Sequence, residues 1–160
     1  METTTRHRSG LALAGLLAAD GLLHLYWATG ATWPAADSRA LSLAVLGIET
    51  SFAPPTVLPL AALTLGGAAA VLAHSRGRGG MVTRAVTGAV AAGMGVRALA
   101  GLGWAAGVLD SPPDSPFHVL NLALYTPACL GFGWAAARLA LVPAGAGRRP
   151  FGPVRARRAG

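Results

Sequence analysis

Four stretches of this chain are each long and apolar enough to cross a lipid bilayer, at about 11–30, 52–73, 85–109 and 117–142. A bilayer core asks for about 20 apolar residues in a helix. Inside it each backbone polar group must be satisfied within the protein, which makes the helix the default for a spanning segment. The chain is therefore read as all-α, a polytopic membrane four-helix bundle over residues 10–142. A short N-terminal segment, 1–9, precedes it. A tail of Gly, Pro and Arg, 143–160, follows and has no apolar run on which to fold, so it is expected to be disordered. Ala40–Ile48 is also apolar, but nine residues are too few for a span; they predict a short extra helix, interfacial or re-entrant, between the first two spans. Pro54-Pro55 opens the second run, where proline is tolerated. Pro127 lies inside the fourth, where it should bend the helix or free a carbonyl.

Composition excludes the other broad classes. Hydrophobic residues make up 53% of the chain and charged ones 12%, about half the charge of a soluble domain. That is too apolar for a disordered chain and too poor in charge for a water-soluble one. Cys129 is the only cysteine, so no disulfide scaffold exists within the chain. The net charge of +7 raises the question of nucleic acid, and its distribution answers against that partner. All thirteen basic residues are arginines, and apart from Arg97 they gather at the ends of apolar runs rather than along one face. Arg6 and Arg8 precede the first run; Arg76, Arg78 and Arg84 separate the second and third; Arg138, Arg148, Arg149, Arg155, Arg157 and Arg158 close the fourth. The opposite side holds Arg39, with Asp37, Glu49, Asp110 and Asp114. The positive-inside rule then predicts a multi-pass protein of the cell membrane with both termini cytoplasmic. Arg6-His7-Arg8 before Leu11–Ala19 has the outline of a secretory signal. Asp20 interrupts it, however, and the apolar pattern resumes through Leu22, Leu23, Leu25 and Trp27, so an uncleaved first span is expected.

Helices in lipid gain little from burying apolar surface on one another and depend on close backbone approach and interhelical hydrogen bonds. Small residues four apart supply candidates for such approach: Gly15 with Ala19, Gly66 with Ala70, Ala89 with Gly93, Gly103 with Gly107, and Gly131 with Ala135. The glycines concentrate in the third run, which predicts that the third helix is central.

Ionisable groups at membrane depth are costly and commonly mark function. Asp20, Arg97 and Tyr125 each lie 12–13 residues from the arginine-rich end of their runs, so about 18–20 Å along three different helices at one level. An Asp20–Arg97 ion pair with the Tyr125 hydroxyl beside it is the economical expectation. His24 and Trp27 follow Asp20 on the same helical face, and Asn121 precedes Tyr125 by one turn. With Trp104 and Glu49 they suggest a polar funnel in the outer half of the membrane, floored by the ion pair and walled by aromatics. The residue types His24, His118, Asp114 and Glu49 suit zinc, but no spacing brings two histidines together. No metal and no cofactor is expected.

The pattern His24-Leu25-Tyr26-Trp27-Ala28, then Gly30 and Trp33, a lone Arg97, and Tyr125-Thr126-Pro127-Ala128-Cys129-Leu130 resembles a family of small four-helix bacterial membrane proteins. That family is common in actinobacteria and is labelled only as a domain of unknown function. The likeness spans about residues 11–140, and the 37–52 loop departs from it. It implies the four-helix topology, marks His24, Trp27, Arg97 and Tyr125, and adds no reaction.

Three functions fit these residues. One is a non-catalytic accessory or ligand-binding protein, whose partners would be membrane lipids, an apolar small molecule or further copies of itself; Trp27, Arg97, Trp104, Asn121 and Tyr125 would contact the ligand. The alternative is a membrane enzyme working by acid/base chemistry on a lipid or isoprenoid, of isomerase or cyclase type. There Asp20 or Glu49 would be the acid and His24 its relay. A small proton-coupled transporter acting as a dimer is the third.

Overall fold

The computed structural model describes residues 3–110 and 116–142. Asp114 and the 143–160 tail lie outside them. Six helices run in the order α1 Thr3–Ala28, α2 Ser38–Leu46, α3 Pro54–Ser75, α4 Gly80–Ala105, α5 Phe117–Leu120 and α6 Thr126–Leu141, with a π-helical turn, Asn121–Tyr125, joining α5 to α6. The described residues are helical with short connections and no strands. α1, α3, α4 and the continuous rod from Phe117 to Leu141 are each long and apolar enough to span a membrane. Large apolar side chains cover their outward faces; Leu63, Val96 and Leu99 are each about 70% exposed. A surface so apolar suits lipid, since water-facing patches of that extent are rare in soluble monomers. The molecule is a multi-pass membrane protein built as a four-helix bundle.

The spans follow the expected runs with shifts at their ends. α1 begins eight residues before the predicted start at 11, taking Arg6 and Arg8 into the helix. α4 runs from 80 to 105 rather than 85 to 109, because Gly79 and Gly80, at φ 82° and 56°, make the turn into it and Gly107, at φ 72°, makes the turn out. The short helix expected near 40–48 is α2. Asp37 caps its start, its Oδ1 accepting from the Ala40 N–H at 2.7 Å, and Gly47 at φ 70° ends it. This pairing of an acidic N-cap with a left-handed glycine just past the last turn explains how nine residues hold a helix.

The helices associate as two close pairs, α1 with α3 and α4 with α6, joined mainly along α3 and α4. The expectation of a central third span is corrected accordingly: α4 packs on α3 and α6, while α1 lies diagonally across from it. The small-residue pairs read from sequence are corrected too. Gly15, Gly66, Gly93 and Gly131 have no neighbouring group where a side chain would stand, and Gly103 meets only Leu109 of the following turn. Close approach occurs instead at Gly10 against Ser75, Gly21 against Leu65, Gly67 against Val90, Gly101 against Thr126 and Gly133 against Met94. Leu13, Leu17, Val71, Ala136 and Leu139 form the apolar core near the arginine-rich end.

That end is stapled by side chains that bond backbone carbonyls of other helices. Arg6, read from sequence as a flanking charge, is buried and donates from Nη2 to the His74 carbonyl at 2.7 Å. His74 is fully buried and its Nε2 lies 3.0 Å from the Leu139 carbonyl. A carbonyl only accepts, so Nε2 carries the hydrogen. Arg84 donates to the Ala140 carbonyl at 2.8 Å. The start of α1, the end of α3, the start of α4 and the end of α6 are thereby fixed at one level.

Candidate functional site

The opposite end is organised around a cavity of about 700 Å3. The last turns of α1 contribute Asp20, His24 and Trp27, the roof is α2 with Leu41 and Ala44, and the far wall comes from Leu120, Leu124 and Tyr125. Asp20, His24 and Trp27 share a face because they sit at i, i+4 and i+7 of one helix. Asp20 is eight residues from the end of α1, so the polar end of the cavity lies about 12 Å below the helix terminus. Most of the lining is aliphatic. The expected polar funnel is in fact a largely apolar chamber, with Asp20 and His24 on one wall and Tyr125 on the other.

His24 Nδ1 lies 2.9 Å from the Asp20 carbonyl and 3.5 Å from the Asp20 Oδ2. Trp27, almost fully buried, meets the His24 ring edge-on at 5.3 Å and the Phe52 ring at 5.5 Å. Its Nε1 donates to the Trp33 carbonyl at 3.1 Å, tying α1 to the loop that leads into α2. Tyr125 donates its hydroxyl to the Ala44 carbonyl at 3.2 Å and so holds the roof. Phe117, fully buried, packs against Gly47 just beyond α2. Any side chain at Gly47 would strike that ring, apart from the strain of its positive φ.

The predicted Asp20–Arg97 ion pair does not form. Asp20 is paired with His24, and among the described residues Arg97 has no carboxylate within ion-pair distance. The facing was not as expected: α1 and α4 are diagonal in the bundle, and a helix turns about 100° per residue, so equal height would not imply contact. Arg97 instead donates from Nη1 to Asn121 Oδ1 at 3.1 Å. Its guanidinium carbon lies 5.4, 5.8 and 5.5 Å from the ring centres of Trp104, Phe117 and Tyr125. The negative faces of three aromatic rings supply the stabilisation a counter-ion would otherwise give, each contact contributing about 0.5–2 kcal/mol.

Asn121 is the hinge of this second cluster. It is fully buried, donates from Nδ2 to the Gly101 carbonyl at 2.8 Å, and accepts at Oδ1 from both Arg97 and the Thr126 hydroxyl, the latter at 3.1 Å. Two of these bonds tie Asn121 to α4. The π-helical turn that begins at Asn121 closes with the Thr126 N–H on the Asn121 carbonyl. Pro127, which has no N–H, follows at once, so the disturbance expected from that proline takes the form of a widened turn. Tyr125 joins the two clusters: its ring lies on Arg97 and its hydroxyl meets the cavity roof.

Of the predicted site residues, Asp20, His24, Trp27 and Tyr125 meet at the cavity. Arg97, Trp104 and Asn121 form the adjoining aromatic cluster and do not line it. Trp104 turns its Nε1 to the Asp110 carbonyl at 3.2 Å. Glu49 belongs to neither; it stands exposed with Arg39, Arg39 Nη2 to Glu49 Oε1 measuring 2.7 Å. That contact raises the Arg39 pKa above its ordinary value. His118 is exposed, and among the described residues no three His, Cys, Asp or Glu side chains converge as metal ligands. Sequence reasoning missed Gly101, Phe117 and Thr126 as packing partners of the site, and the lining role of α2. The one available signal was the cap pair Asp37 and Gly47 around α2. Phe117 opens its run, a position that gives no sign of its burial.

No curated protein and no solved structure matches the chain. A family model, described as a protein of unknown function, matches residues 17–136. Those residues hold both polar clusters, the second half of α1, all of α3 and α4, and the last span up to 136. The chain belongs to the DUF3995 family of proteins of unknown function.

Proposed function

We propose that this protein binds an apolar small molecule, a lipid or an isoprenoid, in the cavity between α1, α2 and the last span. The arginine-rich end would face the cytoplasm by the positive-inside rule, with both termini on that side of the cell membrane and the cavity in the outer half. The observation that carries this reading is the cavity's make-up. About 700 Å3 of largely aliphatic space is of the size of small-molecule sites, about 300–1,000 Å3, which pair apolar walls with a few convergent polar groups. Here those groups are Asp20, His24 and Tyr125. Mass spectrometry of protein extracted in mild detergent tests it. A discrete apolar compound should be carried by the native protein and lost from Ala44→Phe, which fills the chamber from its roof. Only bulk phospholipid, equal in both proteins, would count against it.

A membrane enzyme is the second reading, and the Asp20–His24 contact is what favours it. A histidine held at Nδ1 presents its Nε2 as a base. Protonated Asp20 would give its proton to one alkene carbon of the bound molecule while His24 Nε2 takes one from the adjacent carbon, and the His24–Asp20 contact would return the proton, an isomerisation that balances without cofactor. Glu49, outside the cavity, would have no part.

A further inference from the structure

The hydrogen-bonding capacity left over in the cavity wall has a direction. His24 Nδ1 lies on the Asp20 carbonyl at 2.9 Å, and a carbonyl only accepts, so Nδ1 carries the hydrogen and neutral His24 offers Nε2 as a lone pair. Nε2 has no hydrogen-bond partner among the described residues. The Tyr125 hydrogen goes to the Ala44 carbonyl, leaving the Tyr125 oxygen as an acceptor. The Trp27 N–H goes to the Trp33 carbonyl. The Asp20 carboxyl, when ionised, has acceptors alone. The remaining lining side-chain donor is the indole N–H of Trp33, which is 67% exposed and stands at the rim. Inside the chamber the side-chain donors are committed to protein carbonyls, and the acceptors are free.

We infer that the site selects apolar molecules that end in a hydrogen-bond donor, an alcohol or a protonated amine, and excludes those that end in an acceptor alone. A hydroxyl placed at the Asp20–His24 wall gives its hydrogen to Nε2 or to the carboxylate. An ether there finds no donor. A carboxylate finds no donor either, and in addition is repelled by ionised Asp20. The aliphatic walls contribute equally to all of these, so the headgroup decides. This selectivity rests on the proposed binding function and adds the class of ligand to it.

The test uses four probes of one chain length: dodecanol, dodecylamine, dodecyl methyl ether and dodecanoate. Each competes with tritiated dodecanol on the full chain in lipid nanodiscs, with empty nanodiscs as the blank. Dodecanol and dodecylamine should displace the label about tenfold or more better than the ether, the size of preference that an unmade buried hydrogen bond confers, and dodecanoate should be weakest. Asp20→Asn brings an amide donor into the wall and should narrow the gap between dodecanol and the ether. His24→Phe keeps a ring but deletes Nε2, and should weaken dodecanol while leaving the ether unchanged. Thermal melting of each variant separates these effects from loss of fold. Ether or carboxylate displacing as well as alcohol would overturn the donor selectivity while leaving an apolar site in place. No label retained above the blank by native, folded protein would overturn the binding function itself.

Discussion

The two ends of the bundle use the same kinds of polar residue to opposite effect. At the arginine-rich end Arg6, His74 and Arg84 each bond a carbonyl of another helix, and the apolar core closes around them. At the other end His24 and Tyr125 also bond carbonyls, yet they do so at the edge of a chamber and keep a lone pair facing outward from each bond. A histidine fully buried between α3 and α6 is a staple. One with 14% of its side chain exposed beside a cavity is a candidate for contact with something else. What separates structure from site here is where the free valence lies: the unpartnered His74 Nδ1 is sealed in the core, while that of His24 stands beside a cavity, a difference that residue type alone does not reveal.

Substitutions can break or sharpen that contrast, and the largest effect belongs at the stapled end. His74→Ala leaves a hole in a buried position and strips the Leu139 carbonyl of one of its two donors, the Val142 N–H remaining, which should cost about 2–5 kcal/mol by analogy with large-to-small core changes. Thermal unfolding in detergent measures it, and dodecanol binding by the surviving folded fraction should be unchanged. Next comes Gly101→Ala. Its methyl would collide with the Thr126 hydroxyl and crowd Asn121, forcing α4 away from the π-helical turn at about 1–3 kcal/mol. Tyr125→Phe removes one bond to the roof, about 0.5–1.5 kcal/mol, and should accelerate ligand exchange measured by stopped flow more than it lowers the melting temperature. His24→Phe should change stability less than His74→Ala does, because His24 bonds within its own helix; a larger loss would erase the distinction between the two histidines. The smallest effect is expected for Glu49→Gln, an exposed ion-pair partner, with neither melting temperature nor binding altered.

Much of the architecture was legible in the chain because bilayer thickness leaves few choices. Runs of about 20 apolar residues become spans, and a run of nine capped by Asp37 and Gly47 becomes the short α2. Rise per residue is constant, so the sequence can also assign Asp20, Arg97 and Tyr125 an expected level. Rotation was not legible. The mistaken Asp20–Arg97 pair and the outward-facing Gly15, Gly66, Gly93 and Gly131 share one cause, since a register of small or charged residues defines a face but not the neighbour it meets. The resemblance marked Arg97 and Tyr125 without saying that a stack of aromatic rings joins them. His74 carried a faint signal, one histidine beside the arginine-rich turn, which reads equally as an interfacial charge. Gly101 and Thr126 carried none, because their meeting depends on how α4 lies against the last span.

Photolabelling reads the cavity's occupancy most directly. A dodecanol analogue bearing a diazirine on its chain, irradiated with the full protein in nanodiscs and mapped by peptide mass spectrometry, should mark the 20–27 and 40–45 segments and the stretch around Leu120–Tyr125. Excess unlabelled dodecanol should suppress that marking. Label spread instead over lipid-facing positions such as Leu63, Val96 and Leu99, and insensitive to competitor, would contradict a binding chamber between α1, α2 and the last span.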